Sequence, residues 1–385
     1  MRMPIEPFLV GVPDDVLADL RARLALTRFP VTLADSGWDY GTDLDYLRRL
    51  VEYWRDGYDW QAQESALNRL PQFRVEIDGR ATHFVHAVSP HPGALPLLMT
   101  HGWPGSFYEF HKVLGPLTDP PAYGGDARDA FSVVCPSIPG YGWSQPAARR
   151  GFGVREVAAS GVEVMRRLGY SRFGVQGGDW GASISATTAQ LEPRVVVGVH
   201  LNMVGFLPEP AGPDVGPAAG TGLSAQEAAD VAEMRVHRAE GSAYRLQQAT
   251  RPQTLSFGLS DSPAGLAAWI VEKFRAWSDC GGDVESVFTR DELLTNIMIY
   301  WVTNSVDSAA RLYRESRHPS WSGRVDTPVG CAILPRELSR YPRSWVDPYL
   351  NVVRWTRFPR GGHFAALEVP ELLVDDIRAF FRELR

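Results

Sequence analysis

No stretch of this sequence approaches the ~20 consecutive apolar residues that a membrane-spanning helix requires. Its start, MRMPIEPFLVGVPDDV, turns acidic too soon to hold the hydrophobic region of a secretory leader. Neither a membrane anchor nor export is therefore expected. Positive charge is not in excess: 39 Lys+Arg stand against 45 Asp+Glu, a formal net charge of −6, which gives no support to nucleic-acid binding. Cysteine is scarce, and Cys135, Cys280 and Cys331 are odd in number, far apart and not in CxxC spacing. That pattern predicts free thiols in a reducing cytoplasm. Neither a metal nor a cofactor is expected. Lysine is nearly missing, with Lys112 and Lys273 alone among the arginines, a bias of genome composition rather than of chemistry.

What remains is the make-up of an ordinary globule, with 385 residues, 44% hydrophobic and 22% charged, which fits a single large α/β domain carrying an insertion. Residues 14 to 28 and 43 to 56 read as helices, and in the second Leu44, Leu47, Val51 and Trp54 recur at three- and four-residue steps on one face. FRVEIDG and THFVHAV alternate across an Asp-Gly turn and predict a hairpin. Short apolar runs separated by helical stretches follow: LPLLMT (95 to 100), FSVVCP (131 to 136), FGVQ (173 to 176), VVVGVHL (195 to 201), VGCAIL (329 to 334) and VVRWTRF (352 to 358). They predict a mainly parallel sheet.

The fourth and fifth runs are more than a hundred residues apart; 205 to 222 is rich in Pro and Gly, and 224 to 315 reads mostly as helix. A compact sheet does not accommodate an irregular connection of that length, so the segment is read as a helical lid between two strands. This is the arrangement of the α/β-hydrolase fold. The expected division is an N-terminal extension at 1–90, a first core part at 91–204, the lid at 205–320 and a second core part at 321–385.

GVQGGDWGASI, at 174 to 184, sharpens the reading. Gly177, Gly178, Asp179, Trp180 and Gly181 form a Gly-x-Asp-x-Gly turn between a strand and a helix of small residues, the spacing of a nucleophile elbow with aspartate where serine usually stands. Taken alone, Asp179 reads equally well as an N-cap. HGWPGS at 101 to 106, directly after a strand, is where this fold supplies an oxyanion-hole amide, so the N–H groups of Trp103 and Trp180 are expected to converge on an oxyanion. Trp103-Pro104 is a candidate cis bond. His363, in RGGHFAALE after the last strand, completes the chain order nucleophile, acid, histidine. Glu337, in LPRELSRYP, lies where the orienting acid belongs, with Asp326 and Asp347 as competitors.

HGWPGS, GGDWG, SPAGLAAWIVEKF (262 to 274), LTNIMIYW (294 to 301) and GGHFAALE together resemble the microsomal-type epoxide hydrolases, and the resemblance runs over nearly the whole chain, including the GWDYG region near the N-terminus. It implies Asp179 as nucleophile, His363 as base and Glu337 as its partner, with the lid tyrosines Tyr244 and Tyr313 as proton donors; Tyr300 and Tyr341 are decoys. Members with a membrane anchor carry a hydrophobic segment at the N-terminus that this chain lacks, so it looks like a soluble bacterial relative.

The chemistry agrees with that implication. A carboxylate is already ionised at neutral pH and needs no base to attack a strained sp³ carbon, giving an alkyl ester. The departing alkoxide needs a proton, which a phenol can donate, and His363 would then activate water against the ester. A haloalkane dehalogenase, which shares the fold and the aspartate, would leave paired tyrosines idle and usually has asparagine where Trp103 stands. A non-catalytic binding protein would need none of these groups, and a serine hydrolase through Ser106 or Ser183 lacks a serine at the elbow centre. Trp103, Trp180, Phe107 and Trp143 suggest an apolar, aryl or bulky epoxide, taken with water as the small-molecule partners. A homodimer is compatible with the sequence. Detoxification and the biosynthesis of a secondary metabolite fit equally.

Overall fold

The computed structural model describes residues 4–205, 222–317 and 323–385. The chain opens with a two-residue strand β1 (Glu6–Pro7) and three helices, α1 (Asp14–Ala25), α2 (Leu44–Asp56) and α3 (Trp60–Leu67). Asp43 caps α2 by accepting from the Tyr46 amide at 2.7 Å. Tyr46, Leu47, Leu50, Val51 and Trp54 make its buried face. The hairpin β2 (Gln72–Ile77) and β3 (Arg80–Ala87) closes through Asp78 and Gly79, both at positive φ (50° and 73°), the backbone that suits a two-residue hairpin turn.

The core alternates β4 (Leu95–Thr100), α4 (His111–Thr118), β5 (Phe131–Pro136), α5 (Val154–Arg167), β6 (Phe173–Gly177), α6 (Asp179–Leu191) and β7 (Val196–Leu201). Six α-helices follow among the described residues: α7 (Ala225–Val236), α8 (Ala243–Thr250), α9 (Pro252–Asp261), α10 (Pro263–Trp277), α11 (Arg290–Thr303) and α12 (Val306–Glu315). The chain then returns to the sheet through β8 (Val325–Ile333), α13 (Arg343–Val346), β9 (Leu350–Arg357), α14 (Ala365–Glu368) and α15 (Pro370–Arg382).

The strands form one sheet in the order β1-β2-β3-β5-β4-β6-β7-β8-β9. The pairs β1·β2, β2·β3 and β3·β5 are antiparallel, and every pair from β5 to β9 is parallel. Helices cover both faces, so the central strands are apolar throughout: every residue of β5 and β6 is buried. Cys135, Cys280 and Cys331 are buried free thiols. Among the described residues no helix is long and apolar enough to cross a membrane.

The differences from the sequence reading have local causes. The first helix ends at Ala25 rather than residue 28, and α3 and β1 were not anticipated, being too short for a periodic signal. Strand β8 starts at Val325, four residues before its apolar run. Its early part contains Asp326 and Pro328, and the register with β9 shifts there, which lets the sheet accept a residue with no N–H to donate. Of the Pro- and Gly-rich connection expected at 205 to 222, residues 206–221 lie outside the described residues.

Candidate active site

Strand β6 ends at Gly177 and α6 starts at Asp179, leaving Gly178 to make the turn and act as N-cap. Asp179 is the first helical residue, one position past the N-cap, so it is not the N-cap itself. Its φ is +48°, a left-handed backbone uncommon outside glycine and costing of order 1–3 kcal/mol, which persists only where the surroundings impose it. Small neighbours make the bend feasible. A Cβ on Gly181 would lie 1.8 Å from the Thr100 carbonyl oxygen, and one on Gly177 would lie 2.3 Å from the Gly181 carbonyl carbon. The Gly-x-Asp-x-Gly spacing is therefore a steric requirement of this elbow.

The Asp179 carboxylate meets donors from two loops. The Trp103 N–H donates to Oδ1 at 2.9 Å, and the Trp180 N–H also lies against the carboxylate. His363 places Nε2 3.6 Å from Oδ2, and its Nδ1 is 2.9 Å from Glu337 Oε1. These residues stand beyond the C-terminal ends of β4, β6, β8 and β9, the edge where open parallel sheets gather ligands. Neither competitor for the acid reaches the histidine. Asp326 is 90% exposed beside Arg324, and Asp347 pairs with Arg343 at 3.4 Å.

Burial pushes the Asp179 carboxyl above the usual carboxylate range, while His363 and the two amides pull it back. For His363, burial disfavours the cation, but the Glu337 carboxylate, its hydrogen bond and the Asp179 charge prevail, raising it to about 9. The His363 ring thus lies between two carboxylates that both favour its cation.

Tyr244, on α8, and Tyr313, on α12, enter from the helical insertion. The Tyr244 ring stacks on Trp103 at 5.2 Å and 10°, and Tyr313 meets Trp180 edge-on at 4.7 Å. Their own rings are 6.1 Å apart. Burial, reinforced by the Asp179 charge, pushes both phenols up, so they stand as neutral donors. Among the described residues the Tyr313 hydroxyl has no well-formed hydrogen bond. Two further aromatics complete the wall and were not singled out from the sequence: Trp269 and Trp277 of α10, which meet Trp103 at 6.4 and 6.0 Å. With Lys273 they occur at four-residue steps, which puts all three on one helix face. Phe107 and Trp143, expected in the pocket, are placed elsewhere. They pack at 5.8 Å on each other and on His83 and Phe8, beside the N-terminal strands, while Glu109 and Phe110 of the same turn face Asp179.

The two loops are fixed by buried hydrogen bonds. Asn296 donates to the Pro104 carbonyl at 2.8 Å and accepts from Ser106 at 2.9 Å, and Tyr300 donates to the Gly105 carbonyl at 2.6 Å. LTNIMIYW is thus the clamp for HGWPGS, whose Trp103-Pro104 bond is cis. Ser106 is engaged in that clamp and Ser183 lies inside α6, so neither serine is presented at the elbow. Tyr341 lies away from this set, beside Trp345 at 6.3 Å. On the histidine loop, Glu368 accepts from the amides of Asp279, Gly362 and Phe364 at 2.8 to 2.9 Å, and the His363 N–H donates to the Trp277 carbonyl at 2.9 Å.

A strained elbow on a parallel sheet, with a histidine after the last strand and a helical insertion after β7, makes this chain an α/β hydrolase, and residues 96–236 match the family described as the alpha/beta hydrolase fold. Residues 5–110 match a second family, described as the epoxide hydrolase N terminus. The chain is 45% identical over 383 residues to a Stigmatella aurantiaca protein that carries a provisional epoxide hydrolase name, with 99% of this chain and 86% of that one covered. It is 40% identical to epoxide hydrolase 1 of Oryctolagus cuniculus, over 98% of this chain and 88% of that one. The solved juvenile hormone epoxide hydrolase of Bombyx mori superposes with a TM-score of 0.92 at 32% identity, covering 100% of this chain and 95% of that chain. The chain belongs to the epoxide hydrolase family.

The loop contacts generate a stability prediction. Glu368→Ala strips three amides of their acceptor and should lower unfolding free energy by roughly 3 kcal/mol or more, whereas Tyr300→Phe should lower it by about 1 kcal/mol. Urea midpoints at constant m-value measure both. A Glu368→Ala protein as stable as the parent would show that water replaces the carboxylate and that the loop does not depend on it.

Proposed function

We propose that this epoxide hydrolase opens an apolar epoxide through an alkyl ester on Asp179. The observation that carries the reading is the asymmetry of the Asp179 carboxylate. Oδ1 is held by the Trp103 amide, while Oδ2 faces the histidine side of the site. Oδ2 attacks one epoxide carbon from behind the C–O bond, and Tyr244 or Tyr313 gives its proton to the oxygen that departs. Oδ1 is then the ester carbonyl oxygen, already seated against the Trp103 amide, a donor placed to stabilise an oxyanion.

Ester formation also switches the histidine. The Asp179 charge is among the influences that raise His363. Once esterified, Asp179 carries no charge, so the His363 pKa falls and its proton passes to the tyrosinate left by ring opening, which makes the ring a free base. His363 takes a proton from water as the water oxygen bonds to Asp179 Cγ. The tetrahedral adduct collapses by breaking the bond to the substrate oxygen, which takes the proton back from His363 and leaves as a vicinal diol. The carboxyl proton left on Asp179 passes back to His363 and restores the starting charges. Trp103, Trp269 and Trp277 with the two tyrosines support an apolar, bulky or aryl substrate. Detoxification and a biosynthetic step are both compatible with such a substrate.

Single-turnover reaction in ¹⁸O-water tests the covalent route. With enzyme in excess the diol should be unlabelled and the label should appear in the peptide containing Asp179; label in the first-turnover diol would sink the proposal. Asp179→Ala should lose roughly a thousandfold or more in rate while staying folded, and His363→Gln should accumulate a mass increase equal to the epoxide.

For the tyrosines, Tyr244→Phe and Tyr313→Phe should each slow alkylation, and the double variant should lose roughly 10²–10⁴-fold, the usual range for general acid catalysis. Alkylation by the double variant at the parent rate would mean that the proton comes from elsewhere.

A pH dependence follows from the histidine switch. Hydrolysis of the ester needs neutral His363, so its rate should rise with pH to a plateau. The midpoint should lie below the free-enzyme His363 value of about 9, because esterification removes a charge that raises it. Rapid-mixing kinetics on the ester, set beside an NMR titration of His363 in free enzyme, give the two values. A midpoint equal to or above the free-enzyme value would contradict the switch.

A further inference from the structure

One carboxylate in this site, half-buried, has no part in the chemistry of the ester. Glu109 belongs to the short turn Phe107–Phe110 that follows HGWPGS, and it lines a small cavity with Asp179 and His363, with Thr100, Asn202 and Ala366 also in the wall. The cavity has room for about one water molecule. The carboxyl reaches it through space left by a glycine. A Cβ on Gly105 would sit 1.4 Å from Glu109 Oε1, so any other residue at 105 would displace the carboxyl. The Gly102 N–H lies against Glu109 and favours its ionised form, while burial, outweighing the His363 and Gly102 contributions and joined by the Asp179 charge, pushes it up to about 8. A lone surface glutamate would have no reason to be aimed inward at a second carboxylate.

We propose that Glu109 is a positioning residue for the hydrolytic water, holding it between His363 and the Asp179 ester. This rests on the ester mechanism. A water attacking Asp179 Cγ must point a lone pair at that carbon and give one proton to His363 Nε2. Its second O–H is then left over and needs an acceptor; of the other polar groups in the wall, Asn202 Oδ1 already accepts from Gln176 at 2.8 Å. Glu109 supplies one whether ionised or protonated, since a carboxylic acid keeps an acceptor oxygen. The proton budget of hydrolysis is unchanged: one proton passes from water to His363 and on to the departing alkoxide, and the second stays on the oxygen that Asp179 gains. Fixing the water's orientation lowers the barrier of hydrolysis alone, because no water takes part in alkylation.

The test separates the two half-reactions in rapid-mixing experiments on three variants. Glu109→Ala should alkylate within about twofold of the parent and hydrolyse the ester roughly tenfold or more slowly, so that the alkyl-enzyme accumulates by mass. Gly105→Ala, which keeps Glu109 in the chain but expels its carboxyl, should behave the same way. Glu109→Gln keeps an acceptor oxygen and should restore hydrolysis to within about threefold of the parent, a rescue that a merely structural loss would not give. If Glu109→Ala does not fold, Gly105→Ala and Glu109→Gln carry the comparison. Equal slowing of both steps, or unchanged ester hydrolysis in Glu109→Ala and Gly105→Ala, overturns the proposal. Failure of the underlying reading looks different: His363→Gln then yields no alkyl-enzyme at all.

Discussion

The constraint on which this site turns is that a carboxylate must stay charged among aromatic rings. Moving an unpaired ionised group into such surroundings costs far more than one domain's stability, so the charge survives only where donors and an opposite charge meet it. Asp179 has both, through two backbone N–H groups and the His363–Glu337 pair. None of these partners is near it in sequence except Trp180. The parallel sheet brings them together, because β4, β6, β8 and β9 all deliver their following loops to the same edge. Backbone strain at Asp179 belongs to the same account. A left-handed φ is what lifts the carboxylate out of the strand line towards those donors.

Trp103 ties the polar half of the site to its aromatic half. Its amide holds Asp179, while its ring is stacked on Tyr244 and meets Trp269, Trp277 and Tyr313. A tilt of that indole would move the phenols and the amide that holds Asp179 together. The ammonium of Lys273 lies 5.0 Å from the Tyr244 ring centre and 5.8 Å from that of Trp269, a desolvated cation on π faces with Glu272 as its counter-charge. The N-terminal helices brace this arrangement from outside. α1 and α2 pack on α10, Tyr53 donates to Asp291 at 2.7 Å, and Tyr58 and Thr295 share a hydrogen bond of 2.9 Å. The extension therefore supports α10, which carries the aromatic wall, and α11, which clamps the HGWPGS loop.

Much of this was legible in the sequence, and the parts that were not share a cause. Sheet strands buried on both faces announce themselves as apolar runs, which is why β4, β5 and β6 were found nearly to the residue. Glycine spacing around Asp179 was legible because it encodes a steric need rather than a contact. The mutual placement of Asp179, His363 and Glu337 followed from chain order in the fold. Tyr244 and Tyr313 came from resemblance alone, since a tyrosine on a helix carries no local sign of where it points. Trp277 had such a sign in its four-residue steps with Trp269 and Lys273, but a tryptophan stripe reads first as core. Phe107 and Trp143 were misplaced for the same reason: an aromatic near a motif is not thereby in its pocket. Glu109 was invisible, because its placement depends on the missing Cβ of Gly105 four residues away.

What the insertion must supply depends on the leaving group, and here the proposed chemistry accounts for residues that the elbow alone does not require. An elbow aspartate can displace a halide or an alkoxide with the same geometry. Halide departs as a stable anion and asks only for weak donors. Alkoxide is a strong base and must be protonated as it forms, yet the donor must not be acidic enough to give its proton to Asp179 beforehand. A carboxylic acid of ordinary acidity beside the epoxide would fail the second condition, since it lies close to Asp179 in acidity and would neutralise it. A phenol fails neither, and burial raises it further from ionisation. The burial that makes these tyrosines poor acids at rest also leaves the Tyr313 hydroxyl without a well-formed hydrogen bond among the described residues, free to bond to a developing oxyanion when one arrives. In the proposed chemistry the aromatic enclosure thus has two roles at once: it receives an apolar substrate, and it keeps the proton on the phenol until the carbon–oxygen bond breaks.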